Sequence, residues 1–439
     1  MPSRRPYKHR HPETAPSLLF ANNKGQILEY DGMYAAASAA GSFFLPNLDN
    51  FIELPEGSEL FTLPGRMPVG IEADTGEAAL LDSNPYDATP IQAVAAFMAP
   101  AYTSTGTAAY VTRENESQML PLFAYTAVGW EGGRFWVTAF RSDNDIRQDI
   151  CQFKQKKLER LTRKKLKKAQ HNRLIQHLGK CCLTYCCPAA RNYFLNRWEA
   201  PLPCSPVCNA ACAGCISLQP SGCCPSSQSR ISFVPTPKEL SEIAIEHLKT
   251  APGSIVSFGQ GCEGEPLMQA DVMEQAIMLT RKHTGKGTIN LNTNGSLPEA
   301  VERLAIAGLD SIRISLNSAR KEIHSRYYRP KGFDLGDVRA SGKIMKRYNR
   351  HVSLNYFIFP GVTDTEEEFA ALLSLIESCR PDFIQLRNLN MDPEEYVRVI
   401  RHKPGSHSMG IRIWLQQLKK TYPHLKFGYF NPQVQKGSG

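Results

Sequence analysis

From Pro237 to Leu386 the chain alternates between two spacings of apolar residues. Stretches whose apolar positions recur three and four apart, the period of an amphipathic helix, cover 237–250, 269–282, 298–307, a longer span at 321–348, and 365–379. Between them lie short apolar runs that read as buried strands, at 254–258, 287–291, 311–316, 352–359 and 383–386. With an initial strand near Leu202 the pattern makes about six βα units. Strands separated by helices pair in parallel through right-handed crossovers. The expected fold is therefore α/β, an open, partial (β/α)6 barrel. Ligands of such barrels sit at the carboxyl ends of the strands.

Upstream the pattern changes. From Leu18 to Arg141 short alternating runs and turn signals predict a separate β-rich N-terminal domain. The runs 18–20 and 26–30 flank Asn22-Asn23-Lys24-Gly25, a hairpin signal, and 122–130 and 134–140 flank Glu131-Gly132-Gly133, a stronger one, because Gly-Gly supplies positive φ angles. One helix is expected at 90–98. This part holds no catalytic constellation and reads as a substrate-recognition or structural module. The organisation predicted is a basic tail at 1–17, a β-rich accessory domain at 18–145, a basic linker helix at 150–180, a cysteine-rich segment at 181–197, the barrel core at 198–430 and a tail at 431–439.

Length and composition, 439 residues with 42% hydrophobic, fit two or three domains. No apolar run approaches a bilayer span. Arg4-Arg5 resembles a twin-arginine signal, but Lys8-His9-Arg10-His11-Pro12 stands where the apolar stretch of an export signal belongs, so export is not expected. The net charge of +9 has one address. From Lys154 to Arg173 there are ten lysines and arginines against one acid, Glu159, so the rest of the chain is neutral. Leu158, Leu161, Leu166 and Ala169 give this segment a narrow apolar stripe. It reads either as a solvated linker helix or as a contact for RNA or an acidic protein.

Thirteen cysteines suggest disulfides in an exported protein and metal or redox chemistry in an intracellular one. Eleven fall between Cys181 and Cys262 and the first 150 residues have none, which favours a reducing cytoplasm and oxygen sensitivity. The run Cys208-Asn209-Ala210-Ala211-Cys212-Ala213-Gly214-Cys215 folds three thiolates around one small object. Soft thiolates select zinc, copper(I) or an iron–sulfur cluster. Structural zinc takes four ligands and a cubane [4Fe–4S] cluster takes four cysteines, so three leave one iron open to a ligand that is not protein. A zinc loop and three buried thiols are the alternatives.

The C-x3-C-x2-C run followed by the α/β alternation resembles the radical S-adenosylmethionine (SAM) superfamily, over roughly half the chain from Trp198 to Tyr429. The resemblance implies the barrel, a [4Fe–4S] cluster on Cys208, Cys212 and Cys215, and SAM chelated to the open iron. It also implies reductive cleavage to a 5′-deoxyadenosyl radical that abstracts hydrogen from a substrate, with a low-potential donor of flavodoxin or ferredoxin type. Gly264-Glu265-Pro266 resembles the family's G-G-E-P run, which binds the amino group of SAM. This chain departs from that run, with Glu263 where the first glycine would be and Cys262 inserted before it, and Glu265 is the favoured carboxylate. Asn292 and Asn294 lie in a run like the family's T-N-G. Ser315 and Asn317, on one face with Arg313, imply contacts to ribose or carboxylate, Gly361 a turn against adenine, and Gln385 with Arg387 contacts to adenine or substrate.

The remaining cysteines suggest a second [4Fe–4S] cluster, with Cys181, Cys187, Cys224 and Cys262 as its ligands and Cys204 as an alternative. Cys187 and Cys224 directly precede proline, as a ligand cysteine does in bacterial ferredoxins. The expected function is SAM cleavage and modification of an unidentified substrate with help from the auxiliary cluster. The rival readings are an RNA-modifying enzyme performing methyl or thio transfer, and a non-catalytic iron–sulfur or zinc protein that binds partners through its basic helix.

Overall fold

A computed structural model describes residues 10–113, 118–219, 224, 226–403 and 405–434. Its parallel sheet has seven strands in chain order: Glu199–Pro201, Ile255–Phe258, Thr288–Thr293, Ser311–Leu316, His351–Ile358, Phe383–Asn388 and Lys426–Gly428. The first six are the strands expected from the apolar runs. The seventh was not expected, because three residues at a sheet edge carry too short a pattern to read. The middle strands of this sheet are largely buried and alternate apolar residues such as Ile289, Leu291, Ile312 and Ile314, which join the core, with polar ones such as Asn292, Arg313 and Ser315, which face the strand-end cavity.

Three helices precede the sheet: α1 (Gln155–Lys168), α2 (Arg173–Leu183) and α3 (Pro188–Phe194). The crossovers and edge are made by α4 (Pro237–Thr250), α5 (Ala270–His283), α6 (Pro298–Ala307), α7 (Lys321–Tyr328), α8 (Leu335–Arg347), α9 (Glu366–Cys379), α10 (Pro393–Ile400) and α11 (Ile411–Thr421). Local chemistry sets their ends. Thr236 and Glu239 form a capping box with Pro237 at the first helical position of α4, and Gly308, with φ of 114°, closes α6 in the left-handed conformation. The single basic helix expected at 150–180 is instead a helical hairpin. Asn172 caps α2 by accepting from the Ile175 N–H, which breaks the segment four residues beyond the end of α1. Leu158, Leu174 and Leu178 are fully buried in the same apolar core as the sheet, so this is packed structure rather than a linker.

The N-terminal part is an antiparallel sheet system of eleven strands with a further three-stranded sheet. Its two hairpins form at the expected turns. Asn22 Oδ1 accepts from the N–H groups of Lys24 and Gln26, and Gly132 and Gly133 both have positive φ. The helix expected at 90–98 is a strand, Gln92–Phe97, paired with Ser17–Ala21 and Glu59–Leu63. Its alanines favour helix locally, but four consecutive buried residues between two strands decide for the sheet.

This body sits over the carboxyl ends of the fifth and sixth core strands. Thr103 Oγ1 donates to Leu386 O at 3.1 Å, Ser104 N to Asn388 Oδ1 at 2.9 Å, and Arg66 pairs with Asp392 at 3.0 Å, both side chains buried. Between the first and seventh core strands there is no backbone ladder. Asn431 spans that side instead, donating to Glu199 Oε1 at 2.6 Å and Asn292 Oδ1 at 3.3 Å and accepting from Gln385 Nε2 at 3.0 Å. Among the described residues no helix is long and apolar enough to cross a membrane.

Candidate functional site

A cavity of about 400 Å³ opens at the carboxyl ends of the core strands. Cys208, Cys212 and Cys215 line it from the loop after the first strand. That loop is pinned to α7: Ala211 N donates to Tyr328 O, Ala213 N to Tyr327 O, both at 2.9 Å, and Lys331 N to Asn209 O at 2.8 Å. Burial pushes the Cys208 thiol up and the Cys212 thiol well up, and the neighbouring thiols add to both. Arg230 Nη2 stands 3.6 Å from Cys215 Sγ. Burial disfavours the Cys208 and Cys212 thiolates, and a soft metal centre would supply the positive charge that favours them.

The loop after the second strand closes against the cysteine loop. Gly264 N donates to Ser205 O at 2.7 Å and Glu265 N to Val207 O at 2.9 Å. A Cβ on Gly264 would fall 2.0 Å from Val207 O, and one on Gly259 would fall 1.8 Å from Asn292 O, so both close approaches require glycine. Glu265 accepts from Thr293 Oγ1, from Asn294 N at 2.9 Å and from Leu267 N at 3.0 Å. Glu263 accepts from the N–H groups of Cys204 at 2.8 Å, Ser205 at 3.1 Å and Gln260 at 2.7 Å. Burial pushes both carboxyls up to about 7 despite these donors. Both line the cavity, as does Glu199, so a cationic ligand there meets more than one acid.

Of the other expected residues, Gly264, Asn292, Asn294 and Ser315 lie on the cavity. Asn292 donates to Gly259 O at 2.8 Å and Asn294 to Asn209 Oδ1 at 2.9 Å, each tying loop to strand. Three lie elsewhere. Asn317 donates to Tyr396 Oη at 3.3 Å within an apolar cluster. Gln385 is buried beneath the cavity between Arg313 and Asn431. Gly361 faces the N-terminal body, where a Cβ would fall 2.4 Å from the Ala39 carbonyl carbon. Its turn conformation was legible, but its tertiary neighbour was not.

The cavity also takes in Arg313 and Arg387. Burial, then the charge of Arg387, pushes Arg313 down to about 9, and its buried Nε has no hydrogen-bond partner among the described residues. Arg387 stacks over the Tyr429 ring at 4.0 Å. Sequence alone gave Arg313 only a face of its strand.

The second group of cysteines divides. Cys181 and Cys262 come together with His177, a residue that sequence reading passed over although His177 and Cys181 stand one helical turn apart. Cys187 packs against the same core, and its N–H donates to Cys181 O at 3.0 Å. Cys224 is separated from them, packed with Leu122, Tyr327, Tyr328 and Met391. The four-cysteine set expected for a second cluster is therefore not assembled. Cys204 is fully buried beside Glu263.

An open parallel βα barrel with a three-thiol loop and a glycine-lined cavity at its strand ends defines a class of cluster-bearing barrel proteins. The family profile of the radical SAM superfamily matches residues 202–373 of this chain. It is 24% identical to the FeMo cofactor biosynthesis protein NifB of Klebsiella pneumoniae over 178 residues, 37% of this chain and 38% of that one. It is 28% identical to the mycofactocin maturase MftC of Mycolicibacterium smegmatis over 172 residues, 38% and 39% of the two chains. The chain thus spans less than two fifths of the length of these curated relatives. Among solved structures, native anSMEcpe with bound AdoMet is 21% identical, with coverage of 44% of this chain and 52% of that one and a TM-score of 0.34.

Proposed function

We propose that the protein is a radical SAM enzyme in which Cys208, Cys212 and Cys215 hold a [4Fe–4S] cluster and the adjoining cavity holds SAM. The observation that carries this reading is that the three thiols share one cavity with Gly264, Glu265, Asn294 and Ser315 at the strand ends. The chemistry the bound pair supplies is one-electron cleavage of the sulfonium to a 5′-deoxyadenosyl radical, which is general to the superfamily.

The residues of this chain do the rest. Glu265 and Glu263 accept from the ammonium of SAM, whose charge favours their ionised forms. Gly264 lets the backbone approach closely, and Ser315 and Asn294 offer a hydroxyl and an amide to the sugar or carboxylate. Arg313 and Arg387, two cations without an acid at ion-pair distance among the described residues, favour a substrate that carries an anionic group. The N-terminal body, bonded to Leu386 and Asn388, covers part of the strand-end face and excludes water from it.

Electrons come from a low-potential, acidic donor of flavodoxin or ferredoxin type that docks on α1. Two observations support this. Lys165 and Arg173 are held by Glu246 and Glu239, while the other eight cations of the segment make no ion pair among the described residues. The helix also packs on α3, whose Ala189 lines the cavity. The experiment is anaerobic reconstitution with iron and sulfide, followed by dithionite and SAM. The expected result is about four iron atoms per chain at this site and release of 5′-deoxyadenosine. Iron at adventitious levels, or no nucleoside product, overturns the reading.

A further inference from the structure

His177 and Cys181 project from one face of α2, and Cys262 reaches them from the loop after the second core strand. Their ligand atoms all lie within 4.8 Å of one another, and Cys181 Sγ stands 3.5 Å from His177 Nε2. A zinc ion with bonds of about 2.3 Å to sulfur and about 2.0 Å to nitrogen at the tetrahedral angle sets S and N about 3.6 Å apart. Two atoms held by one ion are never further apart than the sum of their bonds, about 4.6 Å for two sulfurs. Thiolates of a cubane sit on separate irons and stand wider. The Cys181–His177 separation matches a single ion, and the 4.8 Å bound on the whole group brings all three ligand atoms together around one point.

We propose that His177, Cys181 and Cys262 bind one zinc ion, with Cys187 as the fourth ligand. Cys187 caps α3 and follows α2 across a turn closed by its own N–H on Cys181 O, so its backbone is fixed beside Cys181. Cys181 and Cys262 are 2% and 4% exposed and His177 and Cys187 are half-buried, so most of the ligand set is shielded from solvent, as in a structural site. It stands whether or not the radical reading holds. Its consequence for that reading is mechanical: Cys262 immediately precedes Glu263, and its carbonyl accepts from Ile231 N at 2.7 Å. The ion ties α2 to the loop that carries Glu263 and Glu265.

The test uses the full chain with Cys208, Cys212 and Cys215 all replaced by alanine, which removes the iron site. Elemental analysis is expected to find one zinc per chain. Exchange for cobalt(II) is expected to give thiolate charge-transfer absorption and the intense visible bands of a tetrahedral ion. Adding Cys262→Ser or Cys181→Ser abolishes these bands, whereas His177→Cys keeps zinc bound through four thiolates and controls for misfolding, with far-UV circular dichroism as a second check. Iron–sulfur absorption in the triple variant, or a chain that binds neither zinc nor cobalt, overturns the proposal.

Discussion

Two groups of thiols in this chain sit in different surroundings. Cys208, Cys212 and Cys215 are on a loop, half-buried, and open onto a cavity of about 400 Å³. Cys181 and Cys262, with His177, join a helix to a loop inside the apolar core. Both groups offer soft ligands, so composition cannot tell them apart. Access does, because an open coordination position serves chemistry and a closed one serves structure.

The sharpest way to break that contrast is Cys212→Ala. It is expected to remove the iron that the loop holds and bring 5′-deoxyadenosine formation to background, while zinc content and the thermal midpoint change little. A loss of zinc in this variant would show that the two groups form one site. Next in size is Gly264→Ala. With Val207 O 2.0 Å from the new methyl, the two loops must part, and SAM affinity measured by calorimetry is expected to fall by at least about tenfold, about 1.4 kcal/mol.

A smaller effect follows from the acids. Because burial raises Glu263 and Glu265 to about 7, both hold protons in mildly acidic solution, and an ammonium ligand binds best once they ionise. SAM affinity is expected to rise between about pH 6 and about pH 8, and Glu265→Gln to flatten that rise. The ligand-free chain behaves oppositely. Folding favours the protonated acids, so their contribution to stability falls as pH climbs from the ordinary 4.5 through about 7. The smallest effect is on α1. Replacing Lys156, Lys157, Lys164 and Lys168 by glutamine is expected to slow reduction by an acidic donor severalfold at low salt and scarcely at high salt. Tight RNA binding that is lost in the same variant would favour the nucleic-acid reading instead.

Legibility in the sequence followed locality. The bounds of α4 and α6 were read correctly because proline at the helix start and, for α6, glycine past the end act within a few residues. The three-thiol loop was equally plain from its spacing. The strand at Gln92–Phe97 and the seventh core strand were missed because pairing partners distant in the chain, not local propensity, make them strands. The same holds for the site. Gly361 carries the expected turn but meets Ala39, and His177 joins Cys262 across eighty-five positions that no local pattern connects. A histidine four residues before a cysteine on an amphipathic helix was the one available clue.

The seam bridged by Asn431 has a consequence for traffic through the barrel. Where a closed barrel is joined by a strand ladder, this side is held by side chains: Asn431 to Glu199 and Gln385, Arg147 to the Asn431 carbonyl at 2.9 Å, and Asp143 to the Tyr429 and Phe430 N–H groups. Whatever crosses the wall beside Glu199 meets side chains there, not strand backbone.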